Sequence, residues 1–154
     1  MKVEIYSRAA VGELIENGFP ERTVVISFFS PRKTRRDEDI RVSYAGVCED
    51  VVYVAIHDID IERHDDYGYT YETYFSNADE AARLVYDAYR NGYDVICQCD
   101  FGQSRSAACA AAILEHFEHR GIDVFADYRY YPNQLVFNKM LDALRDFERA
   151  EERS

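Results

Sequence analysis

The run Cys99-Asp100-Phe101-Gly102-Gln103-Ser104-Arg105-Ser106 sets a cysteine, a glycine and an arginine between an apolar stretch, Val95-Ile96-Cys97, and an alanine-rich one. That spacing fits a phosphate cradle. Successive backbone N–H groups of a tight loop can converge on an anion, and Gly102 supplies the conformational freedom such a loop requires. A helix starting next to Arg105 adds its positive dipole end and free N–H groups, and Arg105 itself offers a planar fork for two phosphate oxygens. The same field favours the thiolate of Cys99. A thiolate beneath a bound phosphorus is an in-line nucleophile that forms a phosphocysteine intermediate. Ser106 stands where it can hydrogen-bond the sulfur as it leaves in the second step, and Ser104 helps to shape the loop. Asp100, Phe101, Gly102, Gln103, Ser104 and Arg105 are therefore the expected substrate-binding residues, with Cys99, Arg105 and Ser106 catalytic.

A bare cysteine and arginine five residues apart is a weak signal. The glycine, the following serine and the strand-loop-helix setting make it specific. With them the segment resembles the CxxGxxR[ST] loop of the protein tyrosine phosphatase superfamily. It is most similar to the compact dual-specificity-type members, especially their short bacterial and phage relatives. The resemblance runs from residue 24 to about residue 144. Low-molecular-weight phosphatases and arsenate reductases match less well, because their loop lies near the N-terminus. Rhodaneses lack this glycine-to-arginine spacing.

The resemblance implies hydrolysis of phosphate monoesters, chiefly phosphotyrosine with phosphoserine or phosphothreonine as further substrates. It implies no cofactor and no metal. It also implies a carboxylic acid after the strand that precedes the helix leading to the cysteine. Asp58 is the first candidate and Asp60 the second, with Asp65 and Asp66 at the spacing common in the family. Asn133 after Pro132 resembles a pair that supports the signature loop, although helix capping explains it equally well. One position departs from the pattern. Gln98 stands where the family usually has a histidine that orients the loop and tunes the thiolate. A phosphate-binding pseudophosphatase or regulatory module with little turnover is accordingly the second functional expectation. Phosphoinositides are disfavoured, because Asp100, Phe101, Gln103 and Ser104 add no cation for extra phosphates.

The elements around the loop read as an α/β domain with a central, mostly parallel sheet flanked by helices. Strands are expected over residues 2–6, 23–29, 51–56 and 93–98, and helices over 9–17, 77–90, 106–120 and 133–150. Gly18, Gly92 and Gly121 are the expected helix ends. Between residues 60 and 74 lies a long polar passage rich in tyrosine, of the kind that is usually functional. Its Tyr67, Tyr69, Tyr71 and Tyr74 suit either a pocket for an aromatic ester or ordinary packing. His57 reads as a strand-end residue, and the basic run over residues 32–36 as a solvated loop rather than a steering patch.

The 154 residues suffice for one domain, expected over 1–154, with 47% hydrophobic and 31% charged residues. A net charge of −11 argues against nucleic-acid binding and makes a local cationic site necessary for a phosphoester. No apolar run approaches the roughly 18 residues of a membrane span, and no secretory leader is legible at the start. Four cysteines without a CxxC pair read as free thiols of a cytoplasmic protein, neither a disulfide framework nor a zinc site. Partners are therefore expected to be phosphorylated proteins or small phosphoesters, with no nucleic acid and no membrane. Oligomeric state is not legible.

Overall fold

The computed structural model describes residues 1–31, 41–59 and 68–153. Its elements follow the order β1 (Val3–Ser7), α1 (Arg8–Asn17), β2 (Thr23–Phe29), β3 (Asp50–Ala55), α2 (Ala78–Asn91), β4 (Asp94–Cys99), α3 (Arg105–Glu118), α4 (Ile122–Phe125) and α5 (Gln134–Glu152). The sheet order is β1-β4-β2-β3, and every pairing among the described residues is parallel. Parallel strands of one sheet need long crossovers. Helices α1 and α2 lie in two of them, so all four strands point their C-terminal ends the same way.

Both faces of the sheet are covered, which explains why β2 reads as a continuous apolar run rather than an alternating one. Val24, Ile26, Phe28, Val52, Val54, Val95, Cys97 and Cys99 face the core built with α2, α3 and α5. Val25 and Ile96 face the other way, against Val11 of α1 and Tyr44. Helix α3 can sit deep because its inner surface is small. Ala107, Ala108, Ala110, Ala111 and Ala112 are wholly buried, and α3 packs on β1, β4 and α5 at once. No described helix is long and apolar enough to cross a membrane.

The end of α3 and the element after it differ from expectation for physical reasons. Helix α3 ends at Glu118, and it is His119, at φ 55°, that adopts the left-handed cap and donates its N–H to the Glu115 carbonyl. Gly121 serves a different purpose. A β-carbon there would lie 2.9 Å from the Ala111 carbonyl oxygen, so the glycine permits the close return that starts α4. The four-residue α4 itself is absent from the sequence-based expectation, being too short to show a period.

Candidate active site

Cys99 is the last residue of β4, paired in register with Ser7, the last residue of β1. The chain then turns through residues 100–104 and enters α3 at Arg105. The expected strand-loop-helix arrangement is thus present, at the carboxyl ends of the strands where open α/β sheets bind ligands. The loop is braced from three sides. Ser7 caps α1 by accepting from the Ala10 N–H at 3.0 Å, and next to it the Arg8 N–H donates to the Asp100 carbonyl at 3.2 Å. Gly102 takes φ 67°, and a β-carbon there would fall 2.7 Å from the Ser7 nitrogen. Both its conformation and its surroundings exclude a side chain. From the segment before α5, the Tyr131 N–H donates to the Gln103 carbonyl at 2.8 Å and the Asn133 N–H to the Ser104 carbonyl at 3.2 Å.

Within this frame Cys99 is buried, and its Sγ lies 3.0 Å from the Ser106 Oγ. Arg105 is buried too, at 4% exposure. Its Nη1 donates to the Ile56 carbonyl at 2.6 Å and to the Ser30 Oγ at 3.3 Å, so the end of β3 and the exit of β2 fix the guanidinium. Its Nη2 lies 3.2 Å from the Asp100 Oδ2. The Arg105 Nε is buried with no hydrogen-bond partner among the described residues, as is the Asp100 Oδ1. The sequence reading has Arg105 as a fork for two phosphate oxygens; in the structure one arm of that fork is held by the loop's own carboxylate.

Asp58, on the segment after β3, reaches the same loop. Its Oδ1 accepts from the Ser104 Oγ at 2.7 Å and from the Asn133 Nδ2 at 2.7 Å. Asn133 also donates to the Ile59 carbonyl at 3.0 Å, while its own Oδ1 caps α5 by accepting the Val136 N–H at 3.0 Å. The Asn133 side chain thus caps α5 and holds Asp58, while its main-chain N–H is the group that reaches the loop. Asp60, Asp65 and Asp66 lie outside the described residues, as do Tyr67 and the basic run over 32–36.

Gln98 is 1% exposed, and its Oε1 accepts two hydroxyl hydrogen bonds, from Ser27 at 2.6 Å and from Tyr44 at 2.7 Å. Burial pushes the Tyr44 phenol far above its usual range, so it remains a donor. Neither Ser27 nor Tyr44 was expected at the site. Only the departure at residue 98 hinted that some partner had to satisfy a buried amide. Ser30 and the Ile56 carbonyl were equally invisible, since a serine in a loop and a main-chain oxygen carry no sequence signature.

The remaining candidates separate cleanly. Tyr74 is a core residue, fully buried, and its hydroxyl donates to the His57 carbonyl at 2.6 Å. Tyr69 packs edge-on against it, and the Tyr71 hydroxyl donates to Asp142 on α5 at 2.5 Å. None of these three is placed against the Cys99 loop by a hydrogen bond. Cys97 is buried in the core, and Cys48, Cys97, Cys99 and Cys109 are all free thiols.

This architecture is the fold of the protein tyrosine phosphatases of dual-specificity type. Human DUSP28 superimposes with a TM-score of 0.56 at 15% identity, over 95% of this chain and 90% of that one. Tk-PTP in its active form gives 0.56 at 14% identity, over 95% and 92%. PTPMT1 in complex with PI(5)P gives 0.52 at 16% identity, over 97% and 94%. No protein-family model matches the sequence, and no curated protein matches it.

Proposed function

We propose that the chain acts as a single-domain, cysteine-dependent phosphate monoester hydrolase with phosphorylated proteins or small phosphoesters as substrates, phosphotyrosine foremost. The observation that carries this reading is the pairing, on one braced loop, of Cys99 Sγ 3.0 Å from Ser106 Oγ with the buried, partly unpartnered guanidinium of Arg105. In the first step Cys99 attacks phosphorus in line, the bond to the ester oxygen breaks, and Asp58 in its protonated form donates a proton to the departing oxygen. Arg105 and the loop N–H groups hold the phosphoryl oxygens throughout. In the second step water attacks the phosphocysteine, Asp58 takes its proton, and Ser106 donates a hydrogen bond to the departing thiolate. No step requires a metal.

The tie between Asp58 and Ser104 supports Asp58 as the acid, because it brings that carboxylate to the loop. The free thiols support a reducing, cytoplasmic setting. PTPMT1 was crystallised with a phosphoinositide. For this chain the loop argues otherwise, since Asp100 puts a negative charge where a second phosphate would need a cation. Gln98 favours one further reading, a phosphate-binding module with little turnover, because its amide oxygen is committed to Ser27 and Tyr44. Hydrolysis of p-nitrophenyl phosphate by the wild type and by Cys99→Ser, each with and without EDTA, separates the two. We expect Cys99-dependent, vanadate-inhibited and EDTA-insensitive turnover. Phosphate binding without turnover would establish the module instead.

A further inference from the structure

We propose that Asp100 determines which ionic form of a phosphate monoester the site accepts, favouring the monoanion over the dianion by sharing the Arg105 guanidinium with the bound group. This rests on the phosphate-binding half of the proposed function, the Cys99 loop as a cradle for a phosphate ester, and adds a specificity-determining residue to it.

The inference starts from two orphaned atoms. Arg105 spends Nη1 on Ile56 and Ser30, and Nη2 on the Asp100 Oδ2. Its Nε is a buried donor without a partner, and the Asp100 Oδ1 a buried acceptor without one, among the described residues. Buried polar groups are rarely left in this state, and a specific pair of them calls for an explanation. A phosphate monoanion meets both needs. An unprotonated oxygen accepts from Nε, and the remaining P–OH donates to the Asp100 carboxylate.

The dianion has no proton to give. It also brings a second negative charge to a guanidinium that already carries one carboxylate. The side chains of Arg105 and Asp100 are 5% and 22% exposed, so water and salt screen this repulsion only weakly. Removing Asp100 would free the Nη2 arm and remove the repulsion together.

Other ionisable groups surround the pair. Cys99 lies at the end of β4, His57 and Asp58 follow β3, and the charges of Asp58 and Arg105 act on the Tyr74 phenol. Arg8, Glu13 and Glu16 of α1 line the groove that Asp100 and Phe101 share. All of these remain when Asp100 alone is changed. The difference between two variants at each pH therefore isolates Asp100.

The test is calorimetric binding of phenyl phosphate to Cys99→Ser, which removes turnover, with Asp100 present or replaced by Asn. A pH range of about 5 to 8 spans the second ionisation of a phosphate monoester, near 6. With Asp100 we expect affinity to fall at least about tenfold across that range, as for a group beside a like charge. With Asp100→Asn the fall should disappear and binding at the high end should tighten at least about tenfold. Asp100→Ser, checked for folding by circular dichroism, should behave like the Asn variant. Unchanged pH dependence, weaker binding by both variants at every pH, or no binding by any form would each overturn the proposal. If phenyl phosphate binds as described while the wild type hydrolyses no aryl phosphate, the phosphatase reading fails and this one stands.

Discussion

Asn133 holds Asp58 against the Cys99 loop: its Nδ2 lies 2.7 Å from the same carboxylate oxygen that the Ser104 hydroxyl contacts from the other side. The amide is itself fixed, because its oxygen caps α5. A carboxylate with no other reason to be near the loop is thereby tied to a rigid helix terminus. If Asp58 is the proton donor, Asp58→Asn should lower kcat for phenyl phosphate by about 10² to 10⁴ and remove the basic limb of the pH–rate profile. The loss should be smaller for p-nitrophenyl phosphate, whose leaving group needs less help.

Asn133→Ala should cost about 1 kcal/mol of stability through the lost cap, together with part of the Asp58-dependent rate. Asn133→Ser can restore a cap without reaching Asp58. Urea unfolding should therefore recover in that variant while the rate for phenyl phosphate does not.

Gly102 is the point at which the loop has no tolerance. At φ 67°, with the Ser7 nitrogen 2.7 Å from where a β-carbon would sit, alanine strains the backbone and forces β1 and the loop apart. Gly102→Ala should lose about 1–3 kcal/mol in urea unfolding. It should also abolish vanadate inhibition, since the cradle is displaced.

At Gln98 the forecast concerns stability before activity. Gln98→Leu leaves the hydroxyls of Ser27 and Tyr44 facing an apolar group, at about 1–3 kcal/mol for each one stranded. Adding Tyr44→Phe and Ser27→Ala to that variant should restore stability, which the three unfolding curves will show. If the amide matters only for packing, the triple variant should also recover its pH–rate profile.

His116 gives the fold a pH dependence away from the site. It is packed beside Tyr86, whose hydroxyl is 2.6 Å from its Nε2, and burial lowers its pKa from the usual 6.5, against the opposing pull of Glu148. The unfolded chain thus takes up a proton near 6.5 that the native state resists. The stability contributed is complete above that pH and is lost as pH falls through it. The urea midpoint should drop between about pH 7 and pH 5, and His116→Gln should flatten that drop.

Much of this was legible in the chain because the relevant signals are local. The apolar runs around Val25, Val52 and Ile96 mark strands, the alanines after Arg105 mark a helix, and the Cys99–Ser106 spacing marks the loop. What escaped is long-range. Ser27, Ser30 and Tyr44 lie 54 to 75 residues from the groups they touch, as the separations of their bonds to Gln98 and Arg105 show. No periodicity encodes such contacts. Asp100 is expected from the sequence as a substrate-binding residue of the loop, but nothing in a sequence says that its carboxylate will turn toward the arginine five positions on.

The central claim is that Cys99 carries the phosphoryl group. Ser106→Ala removes the hydroxyl 3.0 Å from its sulfur, and losing a hydrogen bond to a departing thiolate should slow the second step by about ten- to a hundredfold. The intermediate should then accumulate with a burst of p-nitrophenolate. Rapid acid quench and peptide mass spectrometry of that variant during turnover is the most direct measurement. One phosphoryl group on Cys99, absent when Cys99→Ser is added, is the predicted result. Phosphoryl transfer to any other side chain, or a burst with Cys99 unmodified, would contradict it.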